Sequence, residues 1–207
     1  MTTIRLALAQ INPTVGDLRG NLEKIMSFVS IAERSEADVV AFPELSVTGY
    51  PPEDLLLKPQ FVKENIEAVA EIAGKSKNIA TVFGFVDFHR ERYNSAAVAY
   101  QGKIVGTHRK IFLPNYGVFD EARYFKPGQI CPVFTIAGVS IGLNICEDIW
   151  YDLGPTGVQR AAGAEIIINI NGSPFHAGKR DERENMLRAR AKDHGLFIAY
   201  VNQVGGQ

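Results

Sequence analysis

Two periodicities alternate along this chain, and their alternation restricts its fold more than any other feature. Short apolar runs rich in β-branched residues, such as Val39-Val40-Ala41-Phe42, Ile141-Gly142-Leu143-Asn144-Ile145 and Ile166-Ile167-Ile168, read as buried strands. Between them lie stretches with helical spacing. Leu22, Ile25, Met26, Val29 and Ala32 form one face of a helix over 17–34, with Asp17 as its N-cap. Further helices are expected over 61–75, 151–162 and 181–193, with a short helical turn over 53–57. Strands are expected over 4–9, 38–44, 78–87, 94–100, 103–107, 133–136, 139–145, 165–170 and 196–202. Tight turns at Gln101-Gly102 and Ala137-Gly138 make hairpins, so the sheet arrangement cannot be wholly parallel. The expectation is one α/β domain over 1–207, with mixed sheets covered by helices.

Composition removes several function classes. A net charge of -1 over 207 residues gives no electrostatic reason to expect nucleic acid or a membrane surface. No apolar run approaches the length of a membrane span. The N-terminus enters a strand pattern without a signal peptide, and Cys131 and Cys146 cannot make a disulfide framework, so a cytoplasmic location is expected. His89, His108, His176 and His194 are scattered without ligand spacing, and no metal site is expected. The chain stops just after a strand, at Val204-Gly205-Gly206-Gln207, and the ordered fold is expected to continue past it.

The chemistry-bearing residues fall at strand ends. Cys146 closes the run over 141–145 and is followed by Glu147 and Asp148. A thiol there is held by the sheet yet open to the crevice where α/β folds place ligands, although a free cysteine is often only a small packed apolar residue. Glu44 follows Val39-Val40-Ala41-Phe42-Pro43, where a charge is expensive unless paired or used. Lys110 precedes Ile111-Phe112-Leu113-Pro114, a similarly apolar context. A carboxylate, an ammonium and a thiol brought together are the parts of an acyl-transfer site. The bland alternatives are a Glu44–Lys110 salt bridge beside a packed thiol, or separate surface charges. The segment 114–128 has aromatics and charges but no periodicity, and a loop that long in a compact domain is usually functional.

Three segments resemble the signatures of the nitrilase (carbon–nitrogen hydrolase) superfamily, in its order and spacing. They are Phe42-Pro43-Glu44-Leu45, His108-Arg109-Lys110-Ile111-Phe112-Leu113-Pro114 and Asn144-Ile145-Cys146-Glu147-Asp148. Within that superfamily, Gly49-Tyr50-Pro51-Pro52-Glu53-Asp54, Leu113-Pro114-Asn115-Tyr116-Gly117-Val118-Phe119-Asp120-Glu121 and Ile145-Cys146-Glu147-Asp148-Ile149-Trp150 are similar to the glutaminase domain of glutamine-dependent NAD⁺ synthetases. The resemblance implies a four-layer α-β-β-α sandwich, C-terminally incomplete here. It also implies a catalytic triad of Cys146, Glu44 and Lys110 that hydrolyses the glutamine side-chain amide.

Glu121 matches a second family glutamate that orients the lysine and the substrate amide. Tyr116, Phe119 and Tyr50 are expected to line the glutamine pocket, and Ser173 to lie near the substrate α-carboxylate. Lys179 or Arg180 would supply the countercharge there, and Glu147 would contact the α-ammonium. No cofactor is implied for this half-reaction. ATP and Mg²⁺ belong to a synthetase domain, absent from these residues, which show no Gly-rich phosphate loop. Implied partners are glutamine, that synthetase domain on the same native chain, and further copies in a homo-oligomer. The rivals are a stand-alone amidase on another small amide, a non-catalytic assembly module, and a papain-type pairing of Cys146 with His176 or His194.

Overall fold

The structure, a computed structural model, describes residues 3–205. Strand β1 (Leu6–Leu8) leads through helix α1 (Leu18–Arg34) into β2 (Val39–Ala41), and a single turn of 3₁₀ helix at Glu53–Leu57 precedes α2 (Pro59–Lys75). Three long strands follow, β3 (Ala80–His89), β4 (Glu91–Tyr100) and β5 (Lys103–Arg109), then a short helix α3 (Glu121–Tyr124). The second half contains β6 (Val133–Ile136), β7 (Val139–Ile145), α4 (Pro155–Ala161), β8 (Ile166–Asn171), α5 (Lys179–His194) and β9 (Phe197–Asn202). Two mixed sheets result, ordered β1-β2-β3-β4-β5 and β6-β7-β8-β9.

Strand alternation sorts side chains into layers, because successive residues point to opposite faces. Val39, Ala41, Val82, Ala96 and Val98 of the first sheet pack against Ile141, Leu143, Ile145, Ile168 and Ile170 of the second. The alternate residues Val40, Phe42, Phe83, Phe85 and Ala97 face outward, beneath Ile25, Val29 and Ala32 of α1 and Val69 and Ile72 of α2. On the far side, Ile167 meets Ala164 and Leu196 at the ends of α4 and α5. The layers are therefore α-β-β-α, as the resemblance implies. Asp17 caps α1 by accepting a hydrogen bond from the Gly20 N–H at 2.9 Å.

Four elements differ from expectation. The strand expected over 38–44 ends at Ala41, and Glu44 stands in the segment after it, because Pro43 has no N–H to continue the ladder. Residues 88–93 read as a loop, but β3 and β4 form one hairpin, pairing His89 with Glu91 across Arg90 at φ +64°. The charged tip hides strand character because those residues have left the core, where no apolar partner is needed. A helix expected from residue 151 begins at Pro155, where the proline ring presets the first helical φ. The four-residue α3 sits inside the 114–128 segment, too short to leave a periodic signal.

Candidate active site

Three chain breaks carry the site. Glu44 lies just past β2 and Lys110 just past β5. Cys146 opens a 3₁₀ turn, Cys146–Ile149, that follows β7 directly. Cys146 has φ +45°, a left-handed conformation that a residue with a Cβ adopts only under constraint. The constraint is Asp148, fully buried, whose carboxylate collects donors from three segments. Its Oδ2 accepts the Ile145 N–H at 3.1 Å and lies 2.9 Å from His108 Nε2, while Oδ1 accepts the N–H groups of Ile111 and Phe112 at 3.0 Å each. One carboxylate thus ties the residue before Cys146 to the residue after Lys110.

Glu44 is held as tightly. Gly84 permits its approach: a Cβ on that glycine would stand 2.2 Å from the Leu45 backbone nitrogen. Glu44 Oε2 accepts the Gly172 N–H at 2.8 Å, and Oε1 accepts from Asn94 Nδ2 and Lys110 Nζ, both at 2.7 Å. Lys110 Nζ also donates to Glu121 Oε1 at 2.7 Å. Glu121 takes further bonds from the Tyr50 hydroxyl at 2.9 Å and from Asn94 Nδ2 at 3.3 Å. Glu44 and Lys110 are wholly buried, and Glu121 is 5% exposed. An ammonium has three donors. Two are used on the carboxylates, which leaves one for a ligand.

Electrostatics follow from this packing. Burial alone would lower the Lys110 amine, but Glu121 and Glu44 outweigh it and hold the group charged well above its usual range. Burial raises the Glu121 carboxyl despite the opposing pull of Lys110. The Cys146 thiol is pushed well up, first by burial and then by Glu44, with Lys110 opposing. At neutral pH the resting sulfur is a neutral thiol, and it reacts only when a base removes its proton.

Beside Cys146 opens a cleft of about 660 Å³ lined by Tyr116, Phe119, Glu147, Trp150, Ser173 and Lys179, among others. Ser173 Oγ lies 3.4 Å from Cys146 Sγ and 3.4 Å from the Tyr200 hydroxyl. Glu147, 7% exposed, accepts from the Tyr116 hydroxyl at 3.0 Å on both oxygens. Burial and that contact push the Tyr116 phenol up to about 12. Phe119 meets the Tyr116 ring edge-on at 5.6 Å, and Lys179 Nζ stands 5.4 Å over the Trp150 ring. Arg180 does not join the cleft. Its guanidinium pairs with Glu184 at 2.8 Å on the exposed side of α5, because a helical offset of four puts both on one solvent face. His176 bonds the Ala177 carbonyl at 2.9 Å through Nδ1.

Reasoning from sequence did not assign Asn94, His108, Asp148, Gly172 or Tyr200 to the site. Asn94 and His108 had one available signal, a polar side chain among the buried residues of a strand. Asp148 lies in a quoted signature but nothing local reveals its four donors.

The carbon–nitrogen hydrolase family matches residues 5–207. A glutamine-dependent NAD(+) synthetase of Thermotoga maritima is 44% identical over 210 residues, covering 100% of this chain and 36% of the relative. The solved structure of the glutamine-dependent NAD+ synthetase from Acinetobacter baumannii, in complex with adenosine diphosphate, superposes with a TM-score of 0.94 at 42% identity, over 99% of this chain and 39% of the other. The amidase from Nesterenkonia sp., with acrylamide added at its active-site cysteine, superposes with a TM-score of 0.86 at 25% identity, over 98% of this chain and 80% of the amidase. The chain thus spans well under half the length of the synthetases it matches.

Proposed function

This chain belongs to the carbon–nitrogen hydrolase family, and from that premise we propose that it hydrolyses the side-chain amide of glutamine to glutamate and ammonia. The observation that carries the reading is Lys110, clamped between Glu44 and Glu121 with one donor to spare, beside the Cys146 thiol at a cleft. Glu44 is the base. Its Oε2 holds one donor, the Gly172 N–H, and keeps a lone pair for the thiol proton. Cys146 attacks the amide carbon as thiolate, and the developing oxyanion takes the spare Lys110 hydrogen and the N–H at the start of the turn after Cys146. Glu44 returns the proton to the leaving nitrogen, then activates the water that cleaves the thioester. Glu121 and Tyr50 keep the ammonium aimed. The cysteine adduct of the Nesterenkonia amidase supports Cys146 as nucleophile.

In the pocket, Glu147 would meet the α-ammonium, and Ser173 and Lys179 the α-carboxylate, with Tyr116 and Phe119 packing the methylenes. The names of the similar synthetases support glutamine over another small amide. On this reading residues 1–207 are the glutaminase domain of a longer cytoplasmic, homo-oligomeric protein. Its synthetase portion would use ATP and Mg²⁺ to amidate deamido-NAD⁺, and no cofactor would serve the glutaminase step. Among the described residues no helix is long and apolar enough to cross a membrane.

The test uses the intact protein. Cys146→Ala should lose glutamine-driven NAD⁺ synthesis and keep synthesis driven by added ammonium. Loss of both in a folded variant, or retention of both, sinks the assignment.

A further inference from the structure

Helix α5 carries four arginines, and three of them are neutralised. Arg180 and Arg188 flank Glu184 at 2.8 and 3.2 Å. Arg190 pairs with Asp152 and donates to the carbonyls of Ile149 and Trp150 at 3.0 and 2.7 Å. Arg183 is different. Among the described residues it has no ion pair, and its Nε is shielded from water with no acceptor. A guanidinium is always charged and directs five donors in a rigid fork, so a buried N–H without an acceptor is costly unless a ligand supplies one.

Its position says which ligand. Arg183 lines the same cleft as Cys146, Ser173 and Lys179. Its guanidinium stands 6.0 Å from the Tyr200 ring centre, and the Tyr200 hydroxyl is 3.4 Å from Ser173 Oγ, itself 3.4 Å from the sulfur. Burial pushes the Tyr200 phenol up, so it stays neutral and presents a ring face to the cation. From an amide carbon on Cys146, a chain of four carbon–carbon bonds reaches about 5 Å, which takes a terminal carboxylate past Ser173 toward this fork. The exposed Glu182 also borders the cleft without pairing to Arg183.

We propose that Arg183 is a specificity-determining residue that reads the carboxylate of the amide substrate, as a bidentate partner beside Lys179. The proposal rests on the amide-hydrolase reading above and narrows its substrates to amides ending in an anion about five carbons along.

The experiment compares kcat/KM of the intact protein for glutaramate and for pentanamide, chains of equal length that end in carboxylate and in methyl, with glutamine run in parallel. Loss of charge-assisted hydrogen bonds of ordinary strength predicts that Arg183→Met lowers the glutaramate-to-pentanamide ratio by about 10- to 100-fold. Arg183→Lys should fall between, keeping charge but not the fork. Should the methionine variant fail to fold, Arg183→Gln replaces it. An unchanged ratio, whatever happens to the absolute rates, means that Arg183 acts only on structure and overturns the proposal. If glutamine is not hydrolysed but the ratio still falls, the glutaminase reading fails and the role of Arg183 stands. If no amide is turned over, both fall.

Discussion

Replacing Lys110 by methionine tests the arrangement at its centre, because methionine keeps most of the stem and removes the charge. The ammonium is wholly buried and sits 2.7 Å from each of two buried carboxylates. Removing one partner of a buried ion pair typically costs ~3–5 kcal/mol, since the remaining charge is left uncompensated. Here two charges are left, and they face each other through Asn94. Proton uptake offers the escape. Taking up a proton removes one of the two stranded charges, at a cost that grows with pH. The sign follows from linkage: a carboxyl whose folded pKa is raised binds its proton more tightly folded than unfolded, so folding is penalised increasingly as pH rises above the ordinary carboxyl value. Burial already sets Glu121 in that direction. The deficit of Lys110→Met relative to the unsubstituted chain should therefore be ~1 kcal/mol near pH 5 and ~4 kcal/mol near pH 8. Urea denaturation at the two pH values, followed by the fluorescence of the single tryptophan, Trp150, reads it directly. Adding Glu121→Gln should recover about half of the pH 8 deficit, because one of the two stranded charges is gone. Equal deficits at both pH values, or one under ~1 kcal/mol at pH 8, would refute the view of Lys110 as the counterion of a dry carboxylate pair.

Other substitutions probe neighbouring parts of the site. Cys146→Ala should change stability by no more than ~1–2 kcal/mol in urea, because the side chain is small and the left-handed backbone is kept. A larger loss would make the thiol a packing element. Glu44→Gln should lower the amide-hydrolysis rate by ~10²–10⁴-fold while Lys110 keeps its Glu121 partner; an ammonia-release assay decides, and an unchanged rate removes the base. Gly84→Ala drives a Cβ to 2.2 Å from a backbone nitrogen and should cost ~1–3 kcal/mol by thermal unfolding, with turnover falling as Glu44 moves. Wild-type stability and turnover would show that the contact yields freely. Asp148→Asn leaves two N–H donors facing an amide; His108 can switch tautomer to relieve one, so the stranded Ile145 N–H should cost ~1–3 kcal/mol. An unshifted denaturation midpoint would argue against the clamp.

Much of the fold was legible because its causes are local. A period of two with β-branched residues set the central strands, a period of 3.6 set α1 and α2, and Asp17, Gln101-Gly102 and Ala137-Gly138 punctuated them. The same strand-end logic singled out Glu44, Lys110 and Cys146, since a charge or thiol that follows an apolar run needs a reason to be there. What lay outside local pattern was decided by packing two sheets against each other. The Glu44 contact to the Gly172 N–H joins positions 128 apart, and Asn94 bridges Glu44 and Glu121 from a strand whose other residues gave no hint of it. Asp148 gathers its four donors only once the ends of β5 and β7 lie side by side. Arg183 differs from Arg180 and Arg188 because the helix docks its face over Tyr200, and from Arg190 because among the described residues no carboxylate or carbonyl meets it there. A side chain's chemistry is written in its residue type, but its protonation and its spare donors depend on what surrounds it, and the surroundings come from residues that no short window of sequence contains.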